Sequence, residues 1–405
     1  DRKYAGKAVG SPWSIQNIDP SNTTNGETSI ALDSSGNVHI VSSAANSDSL
    51  IYSTNAGGAG FVTTPIDEGT DGEQGAMLRL DENDNVHIVY HARATDKLNY
   101  SSNVQGSWIT QTLDGESAAR GKGVSMELDS NGDMHLVYLD QDNNQLRFGK
   151  FRSLANTETY EIYPDLPSGL SFGTNNGTIW GTPLEGFAAK DYTIYANTTT
   201  QSAYATVQLM SMWQVEPSVE GLELMKDETI TPITFNWTAW SSGVVNSTSS
   251  VHTPGTSGSY NSIVIDSNDK AHIVFYREDN SNLMYSTNKS GSWVTSSIET
   301  SNNVGKYCSL AIDSNNGLHV SYQYNSGNSL RYAYKSASSS SWSTTTIDNT
   351  GGKFTSIAID SNDKPHIAYR DSGGDLGYAE KTGSSWTFNA VQSAGDIALT
   401  SIAID

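Results

Sequence analysis

Apolar and polar residues alternate along this chain in short runs, and the runs recur in a fixed order. Each unit opens on a tetrad closed by aspartate. The series is SIALD ending at Asp33, MLRLD at Asp81, SMELD at Asp129, SIVID at Asp266, SLAID at Asp313, then SIAID at Asp360 and Asp405. A turn such as SNDKP or ENDNV follows, and after it HIVY, HLVY, HIVF, HVSY or HIAY. A third run holds L-x-Y, as in Leu98-Asn99-Tyr100 and Leu376-Gly377-Tyr378. A fourth opens on an aromatic and ends on an apolar–acidic pair, from Trp108 to Asp114, Trp293 to Glu299 and Trp342 to Asp348. Period-two alternation rich in Ile, Val, Thr and Tyr, bounded by Asn, Asp and Gly, is a strand pattern. Four antiparallel strands per repeat predict the blades of a propeller, in which radial packing of twisted sheets buries both faces of each blade.

The spacing of the aspartates is 48, 48, 137, 47, 47 and 45 residues, so one interval carries an insertion. The expected fold is all-β: a seven-bladed propeller with a β-sandwich insertion in the third complete repeat. The third unit reaches Leu146-Arg147-Phe148 and leaves the pattern; Trp240, with Val245 behind it, is read as resuming it with the fourth strand. This divides the chain into 1–153 (propeller), 154–238 (insertion) and 239–405 (propeller, closing the ring with 1–19). The seventh unit draws its third and fourth strands from Arg2-Lys3-Tyr4-Ala5 and Trp13 to Asp19, and its first from Ser401 to Asp405. Its second strand is missing, so flanking residues of a longer protein or a neighbouring chain are expected to complete it.

Two resemblances follow from these motifs. DLPSGLSFGTNNGTIWGTPLEGFAAKDYTIYANTTTQSAYATVQLM, inside the insertion, resembles the immunoglobulin-like repeats of bacterial and archaeal surface proteins, with Trp180 where a small residue is usual. That resemblance implies a spacer or adhesion module without chemistry of its own. The propeller units resemble the D-S-N-G-x-x-H-I-S-Y-Y-D…L-x-Y-A…S-W units of secreted bacterial and archaeal proteins, grouped with sialidase-like and fucose-lectin-like propellers. It covers all seven units and implies a fold rather than an activity.

Composition narrows the function. A net charge of −21 repels a phosphate backbone, which excludes nucleic acid as a partner. No apolar run reaches the roughly 18 residues of a membrane span. The lone Cys308 excludes an internal disulfide framework. Seven Asn-x-Ser/Thr sequons, at Asn22, Asn99, Asn176, Asn197, Asn236, Asn246 and Asn288, agree with an extracellular or cell-surface location.

Six of the eight histidines, His39, His87, His135, His272, His319 and His366, stand six residues after Asp33, Asp81, Asp129, Asp266, Asp313 and Asp360. A catalytic base would not recur sixfold, so these are read as scaffold pairs across a hairpin. The turns between them place oxygens at first, third and fifth positions, as a Ca²⁺ loop does, yet lack its later Gly and Glu. They suit hairpin turns as they stand, with Ca²⁺ left open as the one cofactor. Trp13, Phe61, Trp108, Trp240, Trp293, Trp342 and Trp386 open the outer strands and are read as anchors on the neighbouring blade, with sugar stacking as the alternative. Arg79 and Glu127 are expected to pair across the central channel.

The less regular loops after the second strands carry Tyr90 and Arg93, Asp140, Tyr276-Arg277-Glu278, and Tyr369-Arg370-Asp371. Tyr, Arg and carboxylate on one propeller face offer stacking and paired hydrogen bonds, so these are the candidate binding residues. No S-x-D-x-G-x-T-W box, G-x-S-x-G, H-E-x-x-H or P-loop occurs, and no catalytic residue is named. The expected function is an extracellular recognition or adhesion module that binds glycan or protein through that face. A polysaccharide lyase or glycosidase, or a subunit assembling by strand donation, remain as alternatives.

Overall fold

A computed structural model of the chain describes residues 2–8, 10–19, 28–44, 49–58, 60–67, 76–92, 97–104, 107–114, 120–140, 145–151, 159–174, 179–182, 184, 187–197, 202–212, 222–225, 230–233, 247–252, 257–300, 303–392 and 399–404. They form two compact units, Asp1–Phe151 with Ser247–Asp405, and Arg152–Asn246.

In the larger unit the repeat becomes antiparallel sheets of four strands each. Blade one is Thr28–Leu32, Val38–Ala44, Ser49–Thr54 and Val62–Asp67. Blade two is Ala76–Leu80, Val86–Ala92, Lys97–Ser102 and Ile109–Asp114. Blade three is Arg120–Leu128, Met134–Asp140 and Gln145–Phe151, completed by Ser247–His252. Blade four is Ser257–Ile265, Ala271–Arg277, Asn282–Thr287 and Val294–Glu299. Blade five is Val304–Ile312, Leu318–Tyr324, Ser329–Lys335 and Ser343–Asp348. Blade six is Gly351–Ile359, Pro365–Asp371, Leu376–Thr382 and Ser385–Gln392.

Each element of the repeat has a physical reason. The aspartate closing the first strand turns back on the chain: Asp33 Oδ1 accepts the amides of Ser35 and Asn37, and Asp81, Asp129, Asp266, Asp313 and Asp360 do the same in their blades. The third residue after it is left-handed, which selects Gly36 and Gly132 or an Asp or Asn, as at Asp84, Asp269, Asn316 and Asp363. These turns therefore already use the carboxylate oxygen that a Ca²⁺ loop would place first. The serine of S-I-x-I-D joins blades. Ser29, Ser125, Ser262 and Ser309 Oγ accept the amides of Leu78, Ile263, Leu310 and Ile357 in the following blade at 3.0–3.2 Å. The first strands thus form the inner ring.

Between blades lie apolar seams. Leu78, Ile88 and Val89 are fully enclosed, as are Val274, Val320 and Ile367. Each such side chain contributes about 1.5–3 kcal/mol relative to exposure. The aromatics opening the outer strands lie edge-on against the third strand of the preceding blade. Trp108 meets Tyr52 at 5.1 Å, Trp293 Phe148 at 5.0 Å, Trp342 Tyr285 at 5.3 Å and Trp386 Tyr332 at 5.1 Å. They are anchors.

Three expectations change. Among the described residues the four-stranded blades number six, not seven. Among the described residues, Arg2–Gly6 and Ser14–Asp19 pair only with each other, and 399–404 pairs with no strand. The outer strand of blade three begins at Ser247, opposite Lys150. Trp240 lies outside the described residues, and the strand's own sequence places Asn246 where other blades have an aromatic. The inserted unit accordingly runs Arg152–Asn246 rather than 154–238. It contains a four-stranded sheet and a three-stranded sheet over a small core of Tyr160, Ile179, Tyr192, Ile194 and Leu209. No helix among the described residues is long and apolar enough to cross a membrane.

Candidate functional site

The recurring Asp and His side chains meet across their hairpins, His Nε2 lying 2.8–3.4 Å from Asp Oδ2 in all six blades. In five blades the other ring nitrogen meets a tyrosine hydroxyl of the third strand at 2.5–2.7 Å: Tyr52, Tyr100, Tyr285, Tyr332 and Tyr378. Blade three has Phe148 there, and Lys150 bonds Asp129 at 2.7 Å. Burial works against ionisation of Asp81. Hydrogen bonds from His87, from the Asn85 side chain and from backbone amides outweigh it and hold the carboxyl at about 2. Asp33 is likewise held at about 2, against its desolvation, by bonds from Asn37 and His39. Burial lowers His272 and His319, which their aspartates only partly offset.

Histidines with lowered values are neutral in the fold and protonate more readily when unfolded, so their burial opposes folding increasingly as pH falls below about 6.5. The aspartates stabilise above about pH 4, and that contribution is lost as pH falls toward 2. The melting temperature, followed by calorimetry from pH 8 to 2, should decline in two stages. A level profile between pH 7 and 4.5 would contradict the histidine part.

The candidate binding residues fall into different environments. Tyr90 is enclosed and donates to Asp67 Oδ2 of the preceding blade at 2.5 Å; Tyr369 does the same to Asp348 at 2.6 Å. Tyr276 is buried and donates to Asn303 at 3.0 Å. Asp140 is buried against Arg147 at 3.3 Å. Arg277 pairs with Asp279 at 2.7 Å, and Asp371 accepts the Asp375 amide at 2.9 Å. Glu278 acts electrostatically on Tyr260. Arg370 lies opposite Lys353, and Arg93 lies outside the described residues. Tyr90 and Tyr369 thus hold blades together and Tyr276 ties blade four to the connection ahead of blade five, while Arg277, Glu278, Arg370 and Asp371 stand where the second strands end. Arg79 Nε meets Glu127 Oε2 at 3.0 Å between blades two and three.

Of the sequons, Asn99 is buried and accepts a bond from Thr112, and Asn288 accepts the Ala271 amide. The strand holding Asn197 is described without its side chain; Asn22, Asn176, Asn236 and Asn246 lie outside the described residues.

A second cluster sits beside those strand ends. The first strands of blades four, five and six are bulged between Ser259 and Ser262, Lys306 and Ser309, and Lys353 and Ser356. Each bulge holds an aromatic residue in the left-handed region: Tyr260 at φ 54°, Tyr307 at 54° and Phe354 at 53°. That conformation is a true outlier for a bulky side chain and costs of order 1–3 kcal/mol. The next unit of the repeat holds it in place, since Cys308, Thr355 and Thr400 donate to the carbonyls of Tyr260, Tyr307 and Phe354 respectively. In blade three the same position is Gly123 at φ 60°.

The result is a continuous arc of rings. Tyr260 and Tyr307 lie 4.6 Å apart, and Tyr307 and Phe354 4.5 Å, each pair tilted by nearly 60°. Tyr260 is 37% exposed, and Tyr276 extends the arc at 6.3 Å. Lys306 places its ammonium 5.5 Å from the Tyr276 ring centre. Burial, then the Tyr307, Glu278 and Tyr276 groups, raise the Tyr260 hydroxyl, which stays a neutral donor and acceptor. Apolar ring faces edged by hydroxyl, ammonium, guanidinium and carboxylate groups suit a ligand with both C–H faces and many hydroxyls. The arc was legible as the residue six before each aspartate: Glu27, Gly75, Gly123, Tyr260, Tyr307, Phe354 and Leu399.

Fold and site together define an all-β propeller with an aromatic-lined face and a β-rich insertion. Residues 141–213 match the family described as "Putative Ig domain". Among curated proteins nothing matches. Among solved structures, a mutant of AofleA from Arthrobotrys oligospora is 10% identical, with 93% of this chain and 89% of that one covered and a TM-score of 0.50. A mutant of the Aleuria aurantia lectin in complex with Fucalpha1-6GlcNAc is 11% identical, covering 91% and 97%, at 0.48. A protein from Lactobacillus plantarum is 8% identical, covering 95% and 88%, at 0.46. The likeness to the first concerns the fold alone.

Proposed function

We propose that this chain is a carbohydrate-binding propeller, and that the Tyr260–Tyr307–Phe354 arc is the platform on which a sugar stacks. The observation that carries the reading is the set of aromatic residues held at positive φ in consecutive blades, stacked on one another. Strain of this kind persists where surrounding structure enforces it, and it clusters at ligand sites. Arg277, Glu278, Arg370 and Asp371 at the second-strand ends offer the polar partners for ring hydroxyls. The inserted unit serves as an immunoglobulin-like spacer, and the whole acts at a cell surface as a recognition module.

A glycan array probed with the purified chain, fucosylated glycans included, tests this. Saturable binding to a sugar class, lost on Tyr260→Ala, is expected. Absence of binding to every glycan, or binding indifferent to that substitution, overturns it.

A further inference from the structure

The aromatic arc has positive charge at a fixed place in the repeat. In the bulged first strands of blades five and six a lysine immediately precedes the left-handed ring, Lys306 before Tyr307 and Lys353 before Phe354. Lys122 stands at the same place in blade three, before Gly123. The three lie opposite one second-strand position, occupied by Gln323, Arg370 and Leu139 respectively. Lys306 reaches back toward blade four. Its ammonium stands 5.5 Å from the ring centre of Tyr276, and that ring lies 6.3 Å from Tyr260. The charge is thus set beside the rings of the arc.

Among the described residues neither Lys306 nor Lys353 forms an ion pair, whereas the Arg277 guanidinium is held by Asp279 at 2.7 Å. Lys353 moreover lies opposite a second cation, Arg370. Like charges directly opposite on neighbouring strands destabilise a sheet. The carboxylates of blades five and six are engaged with other groups: Asp371 accepts the Asp375 amide at 2.9 Å, and Asp348 the Tyr369 hydroxyl at 2.6 Å. Glu278 acts at the blade-four end, on Tyr260. Opposed cations beside strained aromatic residues are a cost that a negatively charged ligand would offset.

We infer that the glycan taken by the arc is anionic, a sugar whose carboxylate or sulfate group lies against Lys306 and Lys353. The inference rests on the stacking reading and adds the class of ligand. The Lys306 ammonium is already placed over a ring, so little side-chain freedom is lost when it meets an anion. The net charge of −21 does not oppose this. Exposed charges are screened beyond roughly 8 Å at physiological ionic strength, so an acidic sugar at the arc answers to its immediate neighbours. A phosphate backbone differs, because its charges continue beyond the arc.

The test titrates the full chain calorimetrically with oligogalacturonates, oligomannuronates and sulfated galactan oligomers, each beside its carboxyl-reduced or desulfated counterpart. The anionic member of at least one pair should bind about tenfold more tightly than the neutral one, the worth of one charge-assisted hydrogen bond. The pair that shows the preference separates carboxylate from sulfate. Added salt should erode the preference, and Lys306→Gln combined with Lys353→Gln should abolish it. Tyr260→Ala should weaken both members. If neutral glycans bind in a Tyr260-dependent way and no anionic form binds better, the stacking platform stands and this inference is overturned. Persistence of the preference in the double glutamine variant also overturns it. No binding of any glycan, or binding indifferent to Tyr260→Ala, removes both readings together.

Discussion

Tyr307→Gly should bind glycan about tenfold more weakly than the parent chain, yet be more stable than Tyr307→Ala by about 1 kcal/mol. Either change removes the middle ring of the arc, whose stacking supplies about 0.5–1.5 kcal/mol. They differ at the backbone. Tyr307 sits at φ 54°, which alanine would keep at a cost and glycine adopts freely. Glycine gives back part of that relief through its freer unfolded state, which leaves a difference of about 1 kcal/mol. Removing all three rings by Tyr260→Gly, Tyr307→Gly and Phe354→Gly should weaken binding by about a hundredfold or more. Array binding or calorimetric titration gives the affinities, and denaturant unfolding gives the stabilities. If Tyr307→Gly binds like the parent, the arc is packing and the sugar site lies elsewhere.

The largest loss of stability is expected at Tyr322. This side chain is fully enclosed in blade five, and its hydroxyl donates to Glu299 Oε2 of blade four at 2.7 Å. Arg331 holds the other oxygen of the same carboxylate. Tyr322→Phe leaves the ring and deletes a bond to a charged acceptor, for about 1.5–3 kcal/mol. Tyr322→Ala adds a cavity among Val304, Val320 and Leu310, raising the cost to about 3–5 kcal/mol. Urea unfolding of the three chains measures both steps. Equal stability of Phe and Tyr would show that Arg331 alone satisfies Glu299.

The repeat made much of this readable in advance. Strand order, the Asp–His pairing and the anchoring role of the tryptophans all follow from residues recurring in register, because a recurring contact imposes a recurring residue. Phe61 in a tryptophan position signalled packing, and Tyr4 packs on it. What recurred less was read less well. The histidines' tyrosine partners passed as ordinary strand residues, since the bond crosses to a neighbouring strand 12 or 13 positions away. Trp240 drew the outer strand of blade three to itself, whereas that strand starts after Asn246, without an aromatic to mark it. Tyr90, Tyr276 and Tyr369 looked like surface groups from the loops they precede. The hydroxyls of Tyr90 and Tyr369 turn instead toward the preceding blade, and that of Tyr276 toward the connection leading to blade five. The aromatic arc departs from the repeat in half the units, which hides it from an alignment built on likeness.

The serine bonds that link the first strands skip one joint. Between blades two and three the serine position is Met77, which has no hydroxyl to offer the next strand, and there the Arg79–Glu127 pair spans the blades instead. Both side chains of that pair are more than a quarter exposed, at 29% and 28%, so dissolved ions reach them. The described joints of this ring therefore do not share one kind of fastening. Along the first strands, four blade-to-blade joints carry a neutral serine bond that ionic strength barely touches, whereas the joint between blades two and three carries an ion pair that answers to salt.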